Sequence, residues 1–305
     1  MKRGRISAAT VFFATLSLVL GILLYVKTRP APSLEPRAPG SVPARPAPKS
    51  RDSGPATRDS HREPGTGNRE SKRSQPPVER SVEAASRPRL AVIVDDLGND
   101  AEAVGRIASW RFPVSGAVLP ALPGSEPAAR ALERSGKEVL LHLPMEPKGY
   151  PTVRPGPGVV LTSQSEEEIA RVLETDLASV PGAVGVNNHM GSVATADRRV
   201  MRSVAGVLSR RGLFFVDSRT TDATVAREAA EAAGVPAASR RVFLDDTPQE
   251  EAIRKQLAEA VAQARSEGSA IAIGHPHAAT LAVLEQELPQ LQADVRLVRV
   301  SELVK

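Results

Sequence analysis

The 305-residue chain contains no cysteine. Disulfides, thiolate zinc sites and thiol nucleophiles are therefore excluded. Aromatic residues make up only 3% of the chain, with one tryptophan and two tyrosines. No Gly-x-Gly-x-x-Gly follows the first strand-like run and no P-loop occurs, so a nucleotide-binding reading has no motif to rest on. Histidine is scarce as well. There are five, and two of them, His275 and His277, fall within AIAIGHPH at 270–277.

The excess of positive charge is local. Residues 1–88 carry 16 Lys and Arg against 7 Asp and Glu, a net of +9, while the remaining 217 residues have a net of −4. The basic character thus belongs to the N-terminal stretch, and the rest offers no reason to expect nucleic acid as a partner. Within that stretch, Ala8–Val26 is nineteen residues without a charge. As a helix it would extend about 28 Å, close to the hydrocarbon thickness of a bilayer. Lys2, Arg3 and Arg5 precede it, and no small-residue cleavage site closes it. Residues 1–27 are expected to be a cytoplasmic basic tail and a single-pass signal anchor in the inner membrane. Everything beyond would then be extracytoplasmic. Residues 28–88 contain 12 of the 26 prolines and few large apolar side chains. Such a segment cannot bury enough surface to fold and reads as a disordered linker.

From Arg89 the pattern becomes regular. RLAVIV (89–94) is a continuous apolar run, as in a strand buried on both faces. VSGAVLP (114–120), EVLLHLP (138–144), AVGVNN (183–188), LFFVDS (213–218), RVFLDD (241–246), SAIAIG (269–274) and VRLVRV (295–300) repeat the theme. Helical stretches separate most of them, including 99–110, 125–134 and a helix opened by a capping box from Ser165 to Glu168. Alternating strands and helices imply parallel pairing. Residues 89–305 are therefore expected to form an α/β fold, a distorted (β/α) barrel of seven to eight units, with an open doubly wound sheet as the alternative.

In such folds the chemistry sits at the carboxyl ends of the strands. Asp95-Asp96, His142, Asn187-Asn188-His189, Asp217-Ser218-Arg219 and His275-Pro276-His277 all fall there. Asp245-Asp246 falls there too, but the helix-like PQEEAIRKQL that follows favours reading the pair as caps. Four histidines and an aspartate pair on one rim supply N and O ligands for a divalent ion, zinc foremost. Two adjacent aspartates at a strand end are expected to face different ways, one on a metal and the other orienting or deprotonating a water. A second imidazole could protonate a leaving group, which amounts to metal-assisted hydrolysis of an acyl bond.

The strand ending in Asp95-Asp96, the later strand ending in His142, and Ile273-Gly274-His275 resemble the polysaccharide deacetylases of the NodB-homology type. With HLPMEP (142–147), NNHMGS (187–192), DSRTT (217–221) and GHPH (274–277), residues 89–305 look most like their divergent branch. The resemblance implies that Asp95 is the general base, Asp96 and His142 are metal ligands and His275 is the general acid. Asp217 and Arg219 would support the base or hold substrate, and Asn188 would belong to the same supporting set. An envelope glycan or peptidoglycan-related polymer would be the substrate.

Two departures from the usual pattern bear on the ligands. Where the family has His-x-x-x-His, the second position here is Glu146, and NNHMGS replaces an Arg-x-Pro-Tyr segment. His189 is the expected third ligand, with Glu146 the alternative. His277 either orients His275, meets substrate, or merely starts the following helix. The low aromatic content argues against a long sugar-stacking groove. A hydrolase, a binding module that has lost turnover and an envelope scaffold all remain compatible with these residues.

Overall fold

The computed structural model describes residues 87–305. The expected anchor, residues 1–27, and all but the last two residues of the expected linker lie outside the described residues. Among the described residues no helix is long and apolar enough to cross a membrane.

Nine strands form one parallel sheet: β1 (Arg89–Leu97), β2 (Ser115–Val118), β3 (Glu138–Met145), β4 (Ala183–Met190), β5 (Phe214–Asp217), β6 (Ala237–Ser239), β7 (Val242–Phe243), β8 (Ser269–Gly274) and β9 (Arg296–Val298). Among the described residues seven α-helices accompany them: α1 (Ala101–Ser109), α2 (Ser125–Arg134), α3 (Glu166–Ser179), α4 (Arg198–Arg211), α5 (Ala226–Ala232), α6 (Glu250–Glu267) and α7 (Ala278–Leu291). The spatial order is β6-β5-β4-β3-β2-β1-β8-β7, with β9 paired to the start of β1. The first six strands follow one another in sequence order without the reversal that defines a doubly wound sheet.

The sheet curls into a half-barrel rather than a closed barrel. β6 and β7 are its two edges, three and two residues long. Only Arg240 and Arg241 separate them, too few for a crossover that would let them pair in parallel. The free side of β6 is instead covered by the C-terminus, where Ala237 N donates to Lys305 O at 2.9 Å. The RVFLDD run is thus strand over Val242–Phe243 only, and β6 carries no sequence pattern long enough to announce it.

The continuous apolar character of β1 follows from its position. Leu90, Val92 and Val94 pack outward into the core beneath the helices, while Ala91 and Ile93 point into the barrel. That inner core also holds Leu140, Phe214, Val216, Ile271 and Ile273, together with Val298, Val300 and Leu303 from the C-terminal segment. The bottom is sealed by polar contacts. Ser115 Oγ donates to Glu138 Oε2 at 2.8 Å, and the same carboxylate accepts from Ser301 N at 3.2 Å. Gly185 is required where it stands, since a Cβ there would lie 2.3 Å from the Phe214 ring. Helix starts are specified locally: Asp100 and Asp197 cap α1 and α4, and Ser165 with Glu168 forms the capping box of α3. With the bottom filled, the open carboxyl ends of the strands are left to carry the site.

Candidate active site

The backbone is bent at those strand ends. All four non-glycine residues with positive φ among the described residues lie within three residues of a strand's carboxyl end: Asp96 (57°), Ala121 (54°), Met190 (53°) and Arg219 (49°). Left-handed backbone costs a non-glycine residue of order 1 kcal/mol and gathers at functional sites. At Asp96 its consequence is visible. The β1–β2 register slips between Val94 and Leu97, and both aspartates approach the same nitrogen. His142 Nε2 lies 3.6 Å from Asp95 Oδ2 and 3.2 Å from Asp96 Oδ1. The expectation that the two carboxylates would face different ways is corrected, because the left-handed turn undoes the alternation of a regular strand.

His189, at the end of β4, completes a tight group. Its Nδ1 is 2.9 Å from Asp96 Oδ1 and 3.1 Å from His142 Nε2. Glu146, the alternative to His189, stands elsewhere. Its Oε2 accepts from Thr162 N at 2.6 Å and Thr162 Oγ1 at 2.7 Å, tying the loop after β3 back to that strand. Among the described residues, the groups of His, Asp and Glu able to converge on an ion are Asp96–His142–His189 and Asp245–His275–His277.

Asn187 organises the centre. It is fully buried; its Nδ2 donates to Asp95 Oδ1 at 2.8 Å, and its Oδ1 is 2.9 Å from His142 Nδ1. Because the amide nitrogen serves Asp95, the amide oxygen must accept, so His142 Nδ1 carries a proton. The Nε2 lone pair then faces Asp96. Asp96 Oδ1 is buried and has no hydrogen-bond partner, since neither nearby imidazole is aligned to donate to it. Two imidazole nitrogens and an orphaned carboxylate oxygen converging within about 3 Å are what a divalent cation satisfies. The donor set fits a metal.

Electrostatics separate the roles of the acids. Burial pushes the Asp95 carboxyl up, against the pull of His142, His275 and Asn187. Burial acts upward on Asp96 too, but its contacts with His142 and His189 win and hold it well below the usual carboxylate range. Burial would lower His142, yet Asp95 and Asp96 outweigh it and raise its affinity for a proton. The same negative charge favours a cation.

On the other flank stands His275, after β8. Its Nε2 is 4.0 Å from Asp96 Oδ2. Its Nδ1 is 2.9 Å from Asp245 Oδ1, and its backbone N donates to Asp245 Oδ2 at 2.6 Å. Thr280 Oγ1 donates to the same oxygen at 2.7 Å. Burial would push His275 down, but the Asp245 hydrogen bond and the charges of Asp95, Asp245 and Asp96 lift it to about 8. Asp245 is therefore not the cap of the next helix. The residue at that position is Gln249, and no side chain caps it. The capping rule misled because it looks four residues ahead, whereas Asp245 reaches thirty residues along the chain to the neighbouring strand.

The remaining expected residues form a supporting ring. Asn188 Oδ1 accepts from Ser218 N at 2.8 Å and its Nδ2 donates to Met190 O at 2.8 Å, joining β4 to the loop after β5. Asp217 is buried and spends its oxygens on Arg219 N and Thr224 Oγ1. Arg219 is exposed. His277 is the N-cap residue of α7 without a side-chain cap, and its ring centroid lies 5.8 Å from that of His275. Two further residues, Phe243 and Arg240, belong here that sequence reasoning passed over, and a third was noted without a role. Asn187 was visible only as part of a strand end, Phe243 packs 5.1 Å from His275, and the Arg240 guanidinium lies 4.7 Å from the Phe243 ring. Nothing in AASRRVF distinguishes Arg240 from its neighbour Arg241.

Comparison with known proteins agrees with this architecture. The chain is 40% identical over 221 residues to YibQ, an uncharacterized protein of Escherichia coli, covering 71% of this chain and 67% of that one. It is 36% identical over 218 residues to an uncharacterized protein of Haemophilus influenzae, covering 72% and 77%. The crystal structure of the uncharacterized protein ATU2773 from Agrobacterium tumefaciens superimposes with a TM-score of 0.67 at 24% identity, over 72% of this chain and 89% of that one, so the two share a fold. A family model for divergent polysaccharide deacetylases matches residues 92–304, and the chain belongs to that family.

Proposed function

We propose that the protein is a metal-dependent deacetylase that removes acetyl groups from an envelope polysaccharide or peptidoglycan-related glycan. The observation that carries this reading is a base, a ligand group and an acid side by side on one rim: Asp95 held by Asn187, then Asp96–His142–His189, then His275 on Asp245. Asp96, His142 and His189 would hold a divalent ion, zinc being the best fit to two imidazoles and one carboxylate. Such an ion supplies Lewis acidity, lowering the pKa of a water and polarising an acyl carbonyl.

The chain's own groups manage the protons. Asp95, fixed by Asn187, takes the proton of the attacking water as its oxygen bonds to the acetyl carbon. Its raised pKa makes it a stronger base than an ordinary carboxylate. His275 is protonated near neutrality, because Asp245 accepts from its Nδ1 and keeps the proton on Nε2 available. It donates that proton to the amine or alcohol as the carbon–nitrogen or carbon–oxygen bond breaks. Acetate leaves, and the two protons are accounted for.

The apolar run at 8–26, its basic flank and the Pro-rich stretch to residue 88 support placing this domain outside the inner membrane on a tether. Residues 1–27, 28–88 and 89–305 are accordingly proposed as anchor, linker and catalytic domain. The test is acetate release from acetylated glycans by the zinc-loaded full chain. Asp95→Asn and His275→Ala are each expected to reduce kcat by at least about 100-fold. Bound zinc with no acetate released from any glycan would instead favour a binding module.

A further inference from the structure

Arg240 is half-buried at the rim, yet it is not neutralised in the usual way. Its Nε donates to Ser218 O at 2.6 Å and its Nη2 to Arg219 O at 2.9 Å. Its Nη1 makes no hydrogen bond to any of the described residues. The acids whose charge reaches it, Asp246, Asp217 and Asp95, form no ion pair with it. Two of them are engaged elsewhere: Asp95 with Asn187, and Asp217 with Arg219 N and Thr224 Oγ1.

The position is central to the site. Phe243 packs against both the Arg240 guanidinium and the His275 ring. Ser218, whose carbonyl Arg240 holds, has its Oγ 3.4 Å from Asn187 Nδ2, the group that fixes Asp95. Arg240 is thus one residue removed from the proposed acid and two from the proposed base. Arg219 stands beside it. Its backbone is left-handed, its side chain is exposed, and its nearest acid, Asp222, lies 3.9 Å away. Its charge bears on Arg240 as well, so two guanidinium groups repel one another at one edge of the site.

Desolvating a cation is unfavourable unless an anion compensates. A planar guanidinium with one free nitrogen, held by two carbonyls and an aromatic ring, is oriented to receive a carboxylate. We propose that Arg240, assisted by Arg219, forms a subsite for a carboxylate on the substrate, so that the preferred substrate is an acetylated glycan carrying acidic sugars. This rests on the deacetylase reading and specifies its substrate class.

The experiment compares two N-acetylated oligosaccharides of equal length with the zinc-loaded full chain. One is neutral and the other has a glucuronic acid beside the acetylated sugar. Acetate release and calorimetric binding are both measured. The wild type is expected to favour the acidic oligomer by at least 10-fold in kcat/KM, chiefly through KM. Arg240→Gln is expected to remove that preference, lowering kcat/KM for the acidic oligomer at least 10-fold more than for the neutral one, and Arg219→Gln to weaken it in the same direction. Because Arg219 is exposed, that variant keeps the test valid if Arg240→Gln folds poorly. Equal losses on both oligomers overturn the inference, since Arg240 would then serve the step common to both. So does a wild type that prefers the neutral oligomer or treats the two alike. If neither oligomer is hydrolysed but the acidic one binds through Arg240, the deacetylase reading falls and the subsite stands. Binding of neither oligomer overturns both.

Discussion

Asp245 grips His275 twice, through Oδ1 to the ring Nδ1 at 2.9 Å and through Oδ2 to the backbone N at 2.6 Å. The contact joins the end of β7 to the end of β8 and fixes both the orientation and the proton of the imidazole. An acid catalyst must be protonated, so activity should fall as pH rises through the His275 value of about 8. Asp245→Asn removes the negative charge that lifts this value. The alkaline limb of the kcat profile is expected to move to lower pH, while the acid limb, set by Asp95, stays. A pH–rate profile of both forms checks this, and an unchanged alkaline limb would remove His275 from the acid role.

Metal binding should depend on the imidazole pair and not on Glu146. The His142→Ala/His189→Ala double variant is expected to retain no zinc by mass spectrometry, whereas Glu146→Gln keeps about one equivalent. Ligating nitrogens must be free of protons. Because the neighbouring acids raise His142 above its ordinary value, protons compete strongly and zinc affinity should drop as pH falls. Titrations at several pH values would show the trend.

Asn187 serves two partners at once, so its loss should exceed that of one hydrogen bond. Asn187→Ala leaves Asp95 Oδ1 and His142 Nδ1 without their partner in a dry site. Outer-shell losses of this kind typically cost 10–100-fold in metal affinity or activity. A destabilisation of about 1–3 kcal/mol is expected beside it. Zinc titration and thermal melts separate the two effects.

A second buried acid lies away from the site. Asp176, on α3, is 1% exposed, its Oδ2 has no hydrogen-bond partner, and burial pushes it up to about 8. The loop after β3 presses on it, since a Cβ at Gly158 would fall 2.2 Å from Asp176 Oδ1. The folded state therefore holds a proton that the unfolded chain releases near the ordinary aspartate value of 3.8. Stability is greatest below that value and declines as pH rises toward 8. Asp176→Asn should raise the Tm near pH 8, by an amount corresponding to about 1–3 kcal/mol. The gap should close near pH 4. Melting curves across that range decide it.

Local rules in the sequence were enough for a good deal of this. β1 was legible because RLAVIV is a short, β-branched run apolar on both faces, as a strand with cores on each side requires, and Leu90 and Ile93 occupy those two cores. The capping box at Ser165 and Glu168 was legible because it spans three residues. Strand-end histidines and aspartates were legible as a group because parallel strands deliver their carboxyl ends to one rim. What tertiary structure alone decided were the relations across that rim. Asp96 turns beside Asp95 only through a left-handed φ that no rule predicts for an aspartate. Asp245 serves His275 rather than a helix because β7 and β8 are neighbours in space and thirty residues apart in the chain. Asn187 and Arg240 gain their significance from what β1, β5 and β7 bring beside them. The residue types at the strand ends are a property of the sequence, while which of them share a proton, an ion or a charge depends on distances that only the folded sheet sets.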